Sequence, residues 1–161
     1  MPSNLIEITG AEALAGDGGP LDALIDFYRS FNARDLDGLT ANWADGDAPS
    51  MDSPFGGMRR GWLAIREGYS KLFNGPATVR VGFHDFTSQG GGSDWNLFVG
   101  REKGICETPI ESLDVRIRTS RLFIKMKGVW RQFHHHGSIE EPVLLAEYQR
   151  AILGAPLDRP A

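Results

Sequence analysis

Asp52 and the run His134-His135-His136 are the residues of this chain whose types could do chemistry. Asp52 stands in the stretch Ala-Pro-Ser-Met-Asp-Ser-Pro-Phe-Gly-Gly-Met-Arg-Arg-Gly, residues 48–61, as an acid among apolar and turn-forming neighbours. A carboxylate at the mouth of an apolar cavity loses part of its hydration and holds a proton more readily. It can then take one from a carbon beside a carbonyl. Trp43, Met51, Phe55 and Phe73 would supply the apolar walls. The plainer role for Asp52 is to cap the turn into Ser53-Pro54.

On an unbroken strand His134 and His136 point one way with Trp130 and Gln132, while His135 points the other way with Phe133. Either set could face a pocket, where a neutral imidazole would act as acid or base or donate to a carbonyl oxygen. A His-x-His pair can also hold a metal, but it needs a third ligand, and only His84 or Asp52 offers one. Hydrogen bonding within a sheet or an interface is the commoner use, so neither a metal nor a cofactor is expected. His84-Asp85 reads as a partner for the C-terminal histidines or as plain surface. Asp114, Arg116 and Arg118 alternate as a solvated or interface face. Cys106, the single cysteine, reads as inert packing.

These residues need elements to hold them. Residues 1–19 read as a loosely held arm ending in Ala-Gly-Asp-Gly-Gly. Pro20 can open a helix carrying Leu21, Leu24, Ile25, Phe27, Tyr28 and Phe31 as one apolar stripe. Asp35 caps a second helix through Leu36, Leu39 and Trp43. Pro49 and Pro54 make residues 48–55 extended. Trp62, Ile65, Tyr69, Leu72 and Phe73 mark a third helix, stopped near Asn74-Gly75-Pro76.

Alternation then replaces helical spacing, in Val79-Val81-Phe83, Trp95–Val99, Leu113-Val115-Ile117 and Leu122-Ile124-Met126. The change of parity in the last two predicts a bulge near Thr119–Arg121. Gln89 to Gly92 and Lys127-Gly128 read as hairpin turns, and Trp130–His136 as the last strand. Ser138-Ile139-Glu140-Glu141 has capping-box spacing for a C-terminal helix over 139–153, ended by Gly154, with a tail over 154–161. Helices followed by a meander of antiparallel strands make an α+β domain.

A chain of 161 residues with 41% hydrophobic residues has enough apolar side chain for one core. A net charge of −4 argues against a nucleic-acid surface, and no apolar run reaches membrane-spanning length. The lone cysteine and an N-terminus without a basic region and apolar stretch point to the cytoplasm.

Three motifs carry a resemblance: Phe-Asn-Ala-Arg-Asp-Leu-Asp-Gly-Leu at 31–39 with Trp-Ala-Asp at 43–45, Gly-Trp-Leu-Ala-Ile-Arg-Glu at 61–67, and Val-Trp-Arg-Gln-Phe-His-His-His-Gly-Ser at 129–138. Over residues 20–138 the chain resembles the nuclear transport factor 2-like superfamily, with its ketosteroid isomerases and SnoaL-like polyketide cyclases. The resemblance implies a cystatin-like cone, with N-terminal helices packed on a curved antiparallel sheet, a pocket inside, and a homodimer through the sheet's outer face. It places Asp52 where the isomerases keep their general base. The helix tyrosine of those enzymes falls on Phe27, with Tyr28 one residue on. Their second acid falls near Ser120–Leu122, where no carboxylate stands.

The expectation is therefore a pocket for a small apolar oxygenated ligand, lined by Phe27, Tyr28, Trp43, Met51, Phe55, Phe73 and His135. Asp52, His134 and His136 would be the catalytic groups of a cofactor-free isomerase, cyclase or lyase. The alternative is a non-catalytic ligand-binding or oligomerisation module of the same fold.

Overall fold

A computed structural model describes residues 7–90 and 92–154. In chain order the elements are β1 (Glu7–Ile8), α1 (Pro20–Asn32), α2 (Leu36–Asn42), β2 (Ser50–Asp52), β3 (Met58–Arg60) and α3 (Trp62–Asn74). Four long strands follow, β4 (Thr78–Gly90), β5 (Trp95–Glu107), β6 (Ser112–Met126) and β7 (Val129–Ser138), and then α4 (Pro142–Leu153). One sheet takes the order β1-β4-β5-β6-β7-β2-β3. All its pairs are antiparallel except β2 with β7, which run parallel, so the sheet is mixed. The architecture is an α+β cone: an unclosed sheet whose inner face is covered by helices.

Local chemistry explains the helices. Pro20 opens α1 where its missing N–H is not needed. Leu24, Ile25, Phe27, Tyr28 and Phe31 form its buried stripe. Asp35 caps α2 by accepting from the Gly38 N–H at 3.0 Å. Lys127 and Gly128 both have positive φ, at 50° and 81°, as a two-residue hairpin between twisted strands requires. The capping box expected at Ser138 does not form. Ser138 ends β7 and accepts from Arg118 Nε, and α4 starts only at Pro142 with Glu141 as its uncapped N-cap.

The expected loose arm is tied down over its described part. Ile8 is fully buried and pairs with Phe83. Asp22 accepts from the N–H groups of Ala15 and Gly16 at 2.8 and 2.9 Å. Asn32 links three segments: its amide donates to the carbonyls of Thr9 and Val81 at 2.9 and 2.8 Å, and its oxygen accepts from Val81 N–H at 2.9 Å.

One irregularity decides which side chains of the last strand face inward. On β6 the buried residues Val115, Ile117, Thr119, Arg121 and Phe123 keep one parity throughout. No bulge occurs at Thr119–Arg121; the apolar residues Leu122 and Ile124 simply take the outer face. The bulge lies across from them on β7. Leu122 pairs with His134 and Phe123 with Gln132, leaving Phe133 as the extra residue. Buried Gln132 and buried His135 therefore share the inner face, and the period-two grouping of Gln132 with His134 and His136 does not hold.

Among the described residues no helix is long and apolar enough to cross a membrane.

Asn32→Ala removes three hydrogen bonds and leaves partly buried backbone groups of Thr9 and Val81 without partners. The expected cost is about 1–3 kcal/mol, read as a lower urea midpoint at unchanged slope.

Candidate functional site

Between the helices and the inner face of the sheet lies a cavity with about 50 Å³ of space for water centres. Phe27 and Phe31 of α1, Met51 of β2, Phe55 of the following turn and Tyr69 of α3 line it. Glu102, Arg121 and His135 reach it from β5, β6 and β7, and Tyr148 from α4. The walls are mostly apolar, and the polar groups converge at one end.

That end is built on Arg121, a guanidinium only 3% exposed. Its Nε donates to the Tyr28 hydroxyl at 3.2 Å, one terminal nitrogen to Gln132 Oε1 at 2.8 Å, and the other to Glu102 Oε1 at 2.7 Å. The Tyr28 hydroxyl donates to the same Glu102 oxygen at 2.7 Å. The guanidinium carbon stands 3.8 Å from the Phe27 ring centre, so the ring's negative face meets the buried charge. Gln132 donates in turn to Asn42 of α2 at 3.2 Å. Burial opposes the Arg121 charge, yet the oxygens of Tyr28 and Glu102 beside it hold its pKa above the usual guanidinium range.

Three of the five guanidinium N–H donors are thus engaged, leaving two. Both bonds to Glu102 fall on Oε1, and among the described residues none falls on Oε2.

Two further polar side chains line the cavity. Among the described residues the Tyr69 hydroxyl, which lies close to Trp43 and Arg121, and both ring nitrogens of His135 are buried without a well-formed hydrogen bond. Burial pushes the Tyr69 phenol up to about 12. Burial, reinforced by the charge of Arg121, pushes His135 well below its ordinary value, so the imidazole is neutral. Native proteins rarely leave such groups unpaired, and unpaired groups facing a cavity are the natural contacts of a ligand or of water.

The expected wall residues Phe27, Met51, Phe55 and His135 line the cavity. Tyr28 stands behind it with its hydroxyl in the Arg121 network. Trp43 is buried against Trp62, and Phe73 packs on Phe31. Neither is part of the lining. Asp52, His134 and His136 are directed away from the cavity. Parallel pairing sets Ser50 beside His134, Met51 beside His135 and Asp52 beside His136. With Met51 and His135 inward, the other two pairs face outward. There His136 Nδ1 meets Asp52 Oδ2 at 3.0 Å, and Ser50 Oγ meets His134 Nδ1 at 2.7 Å. Asp52 therefore does not sit where a base for a ligand in this cavity would.

His84 pairs with Glu7 at 2.9 Å and not with the C-terminal histidines. Cys106 is buried, and burial raises its thiol to about 11, which leaves it an unreactive packing residue. Glu102 and Arg121, the centre of the site, went unread in the sequence because charge suggested surface. A signal was present: Glu102 shares strand parity with Phe98 and Cys106, and Arg121 with Val115, Ile117 and Phe123.

A family model for the SnoaL-like domain matches residues 21–142. No curated protein matches the chain. Many solved structures are similar, and three of them serve as examples. A candidate calcium/calmodulin-dependent protein kinase type II association domain from Thiobacillus denitrificans is 24% identical, with a TM-score of 0.60 over 76% of this chain and 95% of that one. A ketosteroid isomerase-like protein from Erwinia carotovora atroseptica is 17% identical, TM-score 0.65, over 74% and 92%. A protein with a cystatin-like fold from Caulobacter vibrioides is 16% identical, TM-score 0.62, over 83% and 94%. At these identities the likeness shows the fold.

The depressed His135 value has a consequence for stability. The unfolded chain binds a proton at this histidine below about pH 6.5, and the folded chain does not. The stabilisation is present in full above pH 6.5 and is lost as the pH falls toward the depressed folded value. As the pH falls from 6.5 to 5, wild type should lose more stability than His135→Leu in urea titrations, and equal slopes would contradict the burial of a neutral imidazole.

Proposed function

The chain belongs to the SnoaL-like domain family, and on that premise we propose that its cavity binds a small, largely apolar molecule bearing a carbonyl or carboxylate oxygen. The observation that carries this reading is the pair of groups without a well-formed hydrogen bond among the described residues, Tyr69 hydroxyl and neutral His135, beside a buried cation with two N–H donors left over. A ligand oxygen placed among them would accept from Tyr69 and from Arg121 or His135. Its apolar body would lie against Phe27, Phe31, Met51 and Phe55. Size limits the ligand: 50 Å³ for water centres corresponds to roughly three or four water positions, so a short keto acid or enol fits better than a polycyclic molecule.

The same arrangement supports cofactor-free proton transfer. Negative charge developing on the ligand oxygen would meet fixed donors and the Arg121 charge in a dry site. The base expected at Asp52 is better sought at Glu102, whose Oε2 accepts no hydrogen bond among the described residues and whose carboxylate lines the cavity. Proton removal next to a carbonyl, giving an enolate that is reprotonated elsewhere, is the reaction class.

A second reading is favoured by one observation. Glu102 already faces Arg121 at 2.7 Å, an arrangement that serves a binding site without turnover equally well. Partner contacts belong on the other side of the sheet, where Trp95, Val99 and Ile105 expose apolar surface from one face of β5. This supports a homodimer through that face.

The test is a panel of short keto acids and small cyclic ketones, scored by thermal shift and by solvent-deuterium exchange at the carbon beside the carbonyl. A binder should raise the melting temperature, and Tyr69→Phe should weaken it about tenfold, close to 1.4 kcal/mol. Exchange that is present in wild type and lost in Glu102→Gln, with binding retained, supports catalysis. Binding without exchange supports the second reading, and a folded protein shifted by no member of the panel contradicts both.

A further inference from the structure

We propose that Asp52, His134 and His136 form a binding site for a divalent cation of the zinc type on the outer face of the sheet. The sequence offered His84 or Asp52 as the third ligand that His-x-His needs, but placed neither beside it, and a metal was not expected. The parallel pairing of β2 with β7 supplies it, since Asp52 pairs with His136 and all three side chains leave the same face. One donor atom from each lies within 4.8 Å of the others, and among the described residues this is the one such cluster.

The chemistry of the set agrees. Asp52 Oδ2 and His136 Nδ1 are 3.0 Å apart, near the roughly 3.4 Å that separates two ligands of a tetrahedral zinc with bonds of about 2.0–2.1 Å. His134 has its Nδ1 bonded to Ser50 Oγ at 2.7 Å, which orients the ring and leaves Nε2 for a metal. Metal-bound imidazoles are commonly oriented in this way by a hydrogen bond at the other ring nitrogen. Two imidazoles and a carboxylate suit zinc, nickel or copper and not calcium or magnesium, which take oxygen cages. In the single chain His136 is 55% exposed and Asp52 28%, so a cation has a route in and its fourth position would be open to water. Val99, Ser120 and His136 share this face in one row, so a homodimer through it would set the site at the seam. The site lies across the sheet from the cavity and does not depend on the ligand-binding reading.

The test uses the untagged full chain and zinc(II) alone, by calorimetric titration, with cobalt(II) as a spectroscopic probe. The expected result is one saturable equivalent per chain and the intense visible bands of four-coordinate cobalt. His134→Ala and His136→Ala should each weaken zinc by at least tenfold. Ser50→Ala should weaken it about 10–100-fold, and His84→Ala, at the one histidine outside the run, should leave it unchanged. Circular dichroism confirms that each variant is folded. No saturable binding by wild type, zinc retained after both histidines are removed, or an equal loss in His84→Ala overturns the proposal.

Discussion

The enclosed pair of Arg121 and Glu102 is the constraint on which the rest of this structure depends. Each ion would cost several kcal/mol to bury alone, so the surrounding chain must hold both in geometry good enough to compensate. It does so with groups from separate elements: Tyr28 and the Phe27 face from α1, Gln132 from β7, and Asn42 of α2 beyond it. A shift of α1 along the sheet would break several of these contacts at once. The network therefore fixes the seat of the helices as well as the polar end of the cavity.

A second constraint is one residue long. The extra residue at Phe133 changes the parity of β7 between Gln132 and His135, so both face inward. Were β7 regular, His134 and His136 would share the inner face with Gln132, and His135 would point outward. The bulge thus divides three consecutive histidines between two environments, one dry and neutral beside Arg121, the other open and paired with Ser50 and Asp52. Two chemically distinct places arise from one strand.

Much of the fold was legible in the sequence because local rules set it. Pro20 and Asp35 open helices, the stripe from Leu24 to Phe31 buries one face, and Lys127-Gly128 turns a hairpin. The site was less legible, and for physical reasons. Asp52 looked like a cavity acid because its neighbours are apolar, but its direction is set by pairing with a strand more than eighty residues later. The bulge was sought on β6 because Leu122 and Ile124 suggested changed parity; Arg121 in fact points inward, where its side chain reaches Glu102 of the neighbouring strand. Strand parity marked both charged residues as inward, and the usual solvation of charge argued the other way.

The most direct test of this account is a double-mutant cycle on Arg121→Met and Glu102→Gln, measured by urea unfolding. A desolvated pair at the centre of the fold predicts a coupling energy above about 1.5 kcal/mol, with each single variant less stable than wild type. A coupling below about 0.5 kcal/mol, as solvent-exposed ion pairs give, would mean that Arg121 is not held in the core and would remove the basis for the cavity's polar end.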